Sequence, residues 1–546
     1  MWRRLAGRGR IQHGLRYSRR CYSSGDVEAV NYAHRKEIIS RTPASYYPNL
    51  DSVRDREATT LRVPQFRARF ERVDFTQYDN KRYPEMCRVE GRISSIRKAG
   101  KGMYFIDVAQ DFARVQLVVS NKLTGVSVGE FNSYHAFLRK GDLVSCVGYP
   151  SVTNVGELSV KACEPVRLAS PCLNSTTLPE KIVDNKIIKK ERVLNYLVNR
   201  DSKKKIVVKA MIVQAIRQFL TDREFIEVQT PIIAGDGTGA NAEPFVTTSK
   251  ALPSNPDGSS QALQLRVAPE LWLKKLVISG FDKVFEIGPN FRNEGVDSTH
   301  NPEFTSCEFY QSFTNLSQLM TMTEELLAYI HSMLRHKNII PEVIDKLDAL
   351  ANRSFPKYEF IPTIEKITGL AFPSEITSES LIAYHTSLAI ALPAMRSPAS
   401  LLDNLAARYL EPLSHDSQAP IFIFNHPAAM SPLAKSKNIT YGENTYDISA
   451  RFELFYKGKE YVNSYEEENS PYEQTSKFQL QQLSKNNFED NESVIPDWKY
   501  VKQMEYGLPP TGGWGCGIDR LAMLFSGSDR IEDVLAFGNL RDVIRQ

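Results

Sequence analysis

Three stretches of the chain gather residue types suited to charged, phosphorylated and flat aromatic ligands. The first is Phe285-Glu-Ile-Gly-Pro-Asn-Phe-Arg-Asn-Glu-Gly, followed by Val296-Asp-Ser-Thr-His-Asn-Pro-Glu-Phe and Thr305-Ser-Cys-Glu-Phe-Tyr-Gln. Strand alternation puts Arg292 and Glu294 on one face of the first run, and Glu308 and Tyr310 on one face of the second. Any one of these residues alone reads as a solvated strand surface. Together, Arg292, Glu294, His300, Phe304 and Glu308 offer a guanidinium fork for phosphate, a carboxylate for an amine and an aromatic ring for a flat base.

The second stretch is Arg451-Phe-Glu-Leu-Phe-Tyr-Lys-Gly-Lys-Glu-Tyr-Val-Asn-Ser-Tyr-Glu-Glu-Glu. With Lys457-Gly458 as a two-residue hairpin turn, Phe455 pairs with Glu460 and Glu453 with Val462, so Glu453 and Glu460 share a face. Clustered carboxylates repel unless a divalent cation or an ammonium joins them, and magnesium with nucleotide phosphates would suffice. That register sends Asn463 and Glu467 to the opposite face, and only a bulge or bend would bring all four to one pocket. An exposed acidic hairpin is the alternative. The third stretch, Gly507-Leu-Pro-Pro-Thr-Gly-Gly-Trp-Gly-Cys-Gly-Ile-Asp-Arg, has four glycines in residues 512–517 and delivers Arg520 to the start of an apolar helix. It lacks the G-x-x-x-x-G-K-[ST] pattern of a P-loop.

Short strand-like runs punctuated by glycine between about Met86 and Leu168 suggest a small barrel. A helical pattern of Ile206, Val207, Met211, Ile212, Ala215, Ile216, Phe219 and Leu220 then leads into Phe225-Ile-Glu-Val-Gln-Thr and Pro231. Beyond it strands and helices mix without βαβ alternation, predicting an α+β unit on an antiparallel sheet. Residues 25–83 read as an N-terminal extension of mixed charge.

Of the 546 residues, 42% are hydrophobic and 24% charged, a globular composition, and no apolar run is long enough to span a membrane. The first 24 residues hold seven arginines and no acid. Taking those seven from 68 basic residues leaves 61 against 64 acidic ones, a net of −3, so global charge does not argue for nucleic acid. The acid-free, arginine-rich opening over 1–24 reads as a mitochondrial presequence, with a disordered basic tail as the alternative. Seven cysteines without a C-x-x-C pair read as ordinary thiols, not a zinc or disulfide framework.

Taken together, these pieces resemble the class II aminoacyl-tRNA synthetases. Glu224-Phe-Ile-Glu-Val-Gln-Thr-Pro is similar to motif 1, the Phe-Arg-Asn-Glu stretch to motif 2 and Gly515-Cys-Gly-Ile-Asp-Arg to motif 3. Within the class the chain most resembles the lysyl-tRNA synthetases of mitochondrial type, supported by Arg266-Val-Ala-Pro-Glu-Leu-Trp-Leu-Lys, His300-Asn-Pro-Glu-Phe-Thr and Ser431-Pro-Leu-Ala-Lys. The resemblance spans about 86 to 540. It implies an α+β architecture: an OB-fold anticodon-binding barrel over 84–170, then a catalytic domain over 180–546 with a six-stranded antiparallel sheet flanked by helices. It also implies a homodimer in the mitochondrial matrix that uses ATP, magnesium, L-lysine and tRNA(Lys).

Carried over position by position, the resemblance gives Arg292 the α-phosphate and the substrate carboxylate. Phe304 and Arg520 would sandwich adenine, with Glu294 at its edge and His300 nearby in the nucleotide site. Glu453 and Glu460 would hold magnesium. Glu270 and the backbone of Gly239 would take the lysine α-amine; Glu308, Tyr310 and Glu467 would take the ε-ammonium, with Asn463 lining the pocket. Phe105 would stack on an anticodon base and Gln116 would read one. The chain departs from the family at Val462-Asn-Ser-Tyr-Glu-Glu, where Gly-Asn-Gly-Phe-Ser-Glu is common, and at Glu243, where arginine is common.

Overall fold

The computed structural model describes residues 24–174, 178–235, 242–253, 260–488 and 496–545. Two compact units divide between Lys181 and Ile182.

The first unit is built on five strands: β1 (Cys87–Lys98), β2 (Met103–Gln110), β3 (Ala113–Ser120), β4 (Leu143–Val152) and β5 (Leu158–Ala162). They pair in the order β1-β2-β3-β5-β4, and β4 returns to β1, closing the barrel. Alternation sends Ile106, Val108, Leu117, Val119, Cys146 and Val160 inward. The extension is ordered against this core, since helix Val63–Phe70 packs Val63, Phe66 and Phe70 into the same cluster. Arg35 and Asp142 form a buried ion pair at 2.7 Å.

In the second unit, the helix read from the 3.6-residue pattern is α1 (Arg200–Thr221), burying Met211, Ile212, Ala215, Ile216, Phe219 and Leu220. After it come β6 (Ile226–Glu227), α2 (Glu270–Ile278), β7 (Lys283–Phe291), β8 (Glu303–Ser312), α3 (Leu316–Lys337), β9 (Lys357–Glu359), β10 (Ile421–Phe424), β11 (Arg451–Tyr456), β12 (Lys459–Glu466), β13 (Thr511–Gly517) and α4 (Ile518–Ser526). The sheet runs β9-β10-β11-β12-β13-β8-β7-β6. Its six central strands are antiparallel; β9 and β6 add short parallel edges, making eight strands in all.

One face of this sheet carries Phe285, Cys307, Phe309, Phe452, Leu454, Val462, Trp514 and Cys516 against α1, α3 and α4. Phe309 stacks on Trp514 at 4.9 Å. Each fully buried side chain of this size contributes roughly 1.5–3 kcal/mol, so this face holds the sheet rigid and frees the other for polar work. Residues 340–420, which carry no clear pattern, fold as helices Phe360–Thr368, Ser378–Ser387 and Pro398–Tyr409 that pack with Ile421, Ile423 and Phe455 at the sheet edge. Six cysteines are free thiols among the described residues. No helix there is long and apolar enough to cross a membrane.

Candidate active site

Register across five strands sets Glu453, Asn463, Gly515, Glu308 and Glu286 side by side in one row. The glycines of β13 make that row habitable. A Cβ on Gly513 would overlap the Glu467 carboxylate and crowd the Tyr310 ring, one on Gly515 would meet Glu308, and one on Gly517 would reach Arg520. These alternate glycines therefore open the polar face of the strand, while Trp514 and Cys516 fill the apolar one. The result is a cavity of about 520 Å³ lined by Glu270, Arg292, Glu294, His300, Phe304, Glu308, Tyr310, Glu453, Glu460, Asn463 and Arg520, among others.

The hairpin turns at Lys457 and Gly458, both with positive φ, as a two-residue turn requires. Phe455 pairs with Glu460 as read from the sequence, but Val462 faces Leu454, not Glu453. An irregularity between Leu454 and Phe455 skips Tyr461, a bulge in β12 that turns Asn463 onto the Glu453 face. The strand placement of Arg292 and Glu294 also differs from simple alternation. Strand β7 ends at Phe291, where its partner begins at Glu303, and the backbone folds so that Glu294 N–H donates to the Arg292 carbonyl at 2.8 Å.

At the cationic end, the Arg292 guanidinium lies 5.2 Å from the centre of the Phe304 ring. Arg520 Nη2 donates to His300 Nε2 at 2.7 Å. Because arginine only donates, the His300 proton sits on Nδ1, which donates to Asp297 at 2.8 Å. Arg520 Nη1 donates to the Glu460 carbonyl at 3.0 Å. His300 and the β12 backbone thus aim Arg520 into the cavity from two sides. Its helix is fixed by Asp519, which accepts from Thr305 N–H at 2.8 Å and pairs with Lys209.

Glu453 is held by a residue the sequence reading left without a role. Arg451 pairs with Glu453 and donates to Asn463 Oδ1 at 3.1 Å, to Ser431 Oγ at 3.0 Å and to the Met430 carbonyl at 3.1 Å. His426 Nε2 stands 3.3 Å from the other Glu453 oxygen. Burial alone would raise Glu453, but Arg451 and His426 hold it down at about 2, so it is ionised. Burial raises Glu460, and the charge on Glu453 adds to the rise. One firmly ionised carboxylate beside a reluctant one is a donor set that a hard divalent cation with phosphate oxygens would complete.

The deep end of the cavity is built from acids. Burial, with Glu270 nearby, pushes the Glu308 carboxyl up to about 8; Tyr310 donates to it at 3.2 Å. Glu467 is fully enclosed and pairs with Lys274, whose ammonium also meets Glu270 Oε1 at 2.7 Å. Tyr465 donates to the same Glu270 oxygen. Lys274 was not picked out from the sequence; its i,i+4 spacing from Glu270 on a helix was the available signal. Gly239 lies outside the described residues.

In the barrel unit, Phe105 is half-buried on the outer face, in a row with Arg97 and Val118. Gln116 is almost covered, and its amide donates to Glu157 at 3.1 Å.

A family model described as tRNA synthetases class II (D, K and N) matches residues 184–541, and one described as OB-fold nucleic acid binding domain matches 87–165. The chain belongs to the class II tRNA synthetases. This synthetase is 38% identical to the mitochondrial lysine–tRNA ligase of Schizosaccharomyces pombe, over 93% of each chain. It is 36% identical to that of Saccharomyces cerevisiae, over 95% of this chain and 94% of the relative. With the lysine–tRNA ligase of Streptococcus agalactiae the identity is 34%, over 88% of this chain and 95% of the relative. As a member of its class the synthetase is an ATP-dependent ligase.

Proposed function

We propose that this synthetase is a lysine–tRNA ligase of mitochondrial translation, acting as a homodimer in the matrix on L-lysine, ATP and tRNA(Lys). The observation that carries the reading is one cavity with two guanidiniums at one end and buried carboxylates at the other. A nucleotide phosphate suits the first end, and a diamino acid suits the second. An aspartate side chain would be repelled there, which separates this pocket from those of the aspartate and asparagine members of the family.

In the first step a lysine carboxylate oxygen attacks the ATP α-phosphorus in line. The new C–O–P bond forms as the bond to the β-phosphate oxygen breaks, and pyrophosphate leaves. The attacking group is already ionised, so no side-chain base is needed. Catalysis rests on positioning and on neutralising two anions, which is the work of Arg292 and Arg520. Phe304 and Arg520 flank adenine, with Glu294 and His300 at the nucleotide rim. Magnesium held by Glu453, Glu460 and the phosphates would neutralise charge at the leaving group. Glu270 and Gly239 receive the α-amine; Glu308, Tyr310 and Glu467, with Asn463, receive the side-chain ammonium. In the second step the terminal 3′-hydroxyl of tRNA attacks the mixed anhydride carbonyl, and AMP departs.

Phe105 and Gln116 belong on this reading to the anticodon contact. The arginine-rich residues 1–24 serve as the matrix-targeting segment, which is in keeping with the mitochondrial relatives. Dimerisation through the β6 edge is supported by the exposed Ile226, Ile232 and Ile233 beside it. The test is ATP–pyrophosphate exchange with each of the twenty amino acids, followed by charging of tRNA. Exchange that depends on lysine alone supports the reading, and exchange with aspartate or asparagine instead overturns it.

A further inference from the structure

Lys274 does nothing in the scheme above, yet its side chain is wholly buried beside Glu270, which lines the cavity. Burying an ammonium is costly unless carboxylates meet it with good geometry. Its helical neighbours Leu271, Leu273 and Val277 fill α2 with apolar side chains, so packing alone would favour another of the same kind. The contacts account for the charge. Nζ meets Glu270 Oε1 at 2.7 Å from its own helix and Glu467 Oε2 from the segment after β12. Tyr465 donates to the same oxygen of Glu270 that Lys274 takes.

The other oxygens matter more. Glu467 Oε1 is buried without a hydrogen-bond partner, and it lies against Gly513 and beside the Tyr310 ring, both of which line the cavity. Glu270 also lines the cavity. Lys274 thus occupies one oxygen of each acid, and the remaining oxygens are left for a ligand. Lys274 supplies one ammonium among three acids, Glu270, Glu308 and Glu467, and the two ammonium groups of a diamino acid would supply the other two.

On the reading of this site as a lysine-activating pocket, we propose that Lys274 is a positioning residue for substrate selection, a resident ammonium that clamps Glu270 and Glu467 in place for the two ammonium groups of the incoming diamino acid. The groups facing it are Glu270 on α2, Tyr465 on β12, Glu467 just after it and Tyr500 on helix Trp498–Met504; Glu308 and Tyr310 on β8 face Glu467, and Arg292 and Arg266 face Glu308. Lys274 is the cation that holds Glu467 down against its burial and the charges of Glu270 and Glu308, so removing its ammonium leaves Glu467 facing those two acids alone. Glu467 then holds its proton to higher pH.

The experiment is steady-state pyrophosphate exchange by the full-length enzyme and its Lys274→Met and Lys274→Gln variants, between pH 6.5 and 9. Melting temperatures and lysine and ATP saturation are measured at each pH. In both variants the KM for lysine should rise about tenfold at neutral pH, and the rising limb of kcat/KM for lysine should move about one pH unit to the alkaline side. The KM for ATP should stay within about twofold, and the loss should shrink at high pH. A uniform loss at every pH, shared by ATP, or an unchanged lysine KM in the folded variants would overturn the proposal. Should Lys274→Met unfold, Lys274→Gln decides alone; should both unfold, the residue is a structural one and the proposal fails. Wild-type enzyme that gives no lysine-dependent exchange removes the ligase reading itself, so the two failures are told apart.

Discussion

Glu453 stands directly opposite Asn463 across β11 and β12, and the side chain that joins them is Arg451. One guanidinium thereby fixes an acid and an amide that line the same cavity. The extra residue Tyr461 makes this possible by bringing Asn463 onto the face of Glu453.

Arg451→Met is expected to cut kcat/KM for ATP by roughly tenfold to a hundredfold, the range for losing hydrogen bonds to a charged group. Without the guanidinium, only His426 opposes the burial of Glu453 and the neighbouring Glu460, and Glu453 takes up a proton more readily. The loss should be relieved in part by excess magnesium. Exchange assays over a magnesium series check this, and wild-type values throughout would strip Arg451 of the role.

Gly513→Ala adds a single methyl where the Glu467 carboxylate and the Tyr310 ring already sit. Both neighbours are buried, so neither can step aside cheaply. The lysine KM should rise about tenfold or more and stability should fall by about 1–3 kcal/mol, as overpacked sites do. Gly507→Ala is a useful control for conformational strain, since Gly507 has positive φ but open space around it. A lysine KM that stays at the wild-type value in Gly513→Ala would show that the strand has room to move.

Much of this arrangement was legible in the residues. Strand alternation sorted Phe309 and Cys307 from Glu308 and Tyr310, and the helical period located the buried side of α1. What escaped were features fixed by pairing partners. Nothing in Tyr461 itself announces a bulge; the shift falls where β11 turns Leu454 toward the helices and Phe455 toward the edge insert. Arg451 and Lys274 were passed over because a cation near an acid in sequence usually marks a surface pair, whereas here both are enclosed. The Lys435-Ser436-Lys437 run looks like a catalytic loop of another synthetase class, but Lys435 is tied to Glu468 at 2.9 Å and Ser436 opens a two-stranded hairpin.

Arg292→Ala should lower lysine-dependent exchange by about a hundredfold to a thousandfold, the scale of losing one charge-stabilising group. The guanidinium packs on Phe304 and its Nε has no protein hydrogen-bond partner, so it is held ready for a ligand at little cost to the fold. Circular dichroism and melting should match wild type. A variant that retains exchange would shift the phosphate role to another cation.

Phe105→Ala should weaken tRNA charging and leave adenylate formation untouched. One base–aromatic stack is worth roughly 1–3 kcal/mol, so the KM for tRNA should rise by about five- to a hundredfold while lysine-dependent pyrophosphate exchange stays at the wild-type rate. The ring is part of the outer face of the barrel and absent from its core cluster, so the barrel should fold without it. Equal losses in both assays would point to a folding defect.

The pH dependence of lysine binding turns on Glu308. In the free enzyme burial and Glu270 hold its carboxyl up to about 8, so at neutral pH it carries a proton in most molecules. A substrate ammonium favours the anion, and binding therefore releases a proton. The sign follows: lysine affinity increases as pH climbs toward about 8 and levels off above it. Folding stability runs the other way, because a carboxyl raised in the folded state loses stability as pH rises from the ordinary carboxylate range through its folded value. Titration calorimetry in two buffers of different ionisation enthalpy should show proton release at pH 7 that fades by pH 9. Glu308→Gln should abolish that release and raise the lysine KM about tenfold at pH 8, the equivalent of about one pKa unit of lost attraction. Proton release that persists in Glu308→Gln would place the titrating group elsewhere in the pocket.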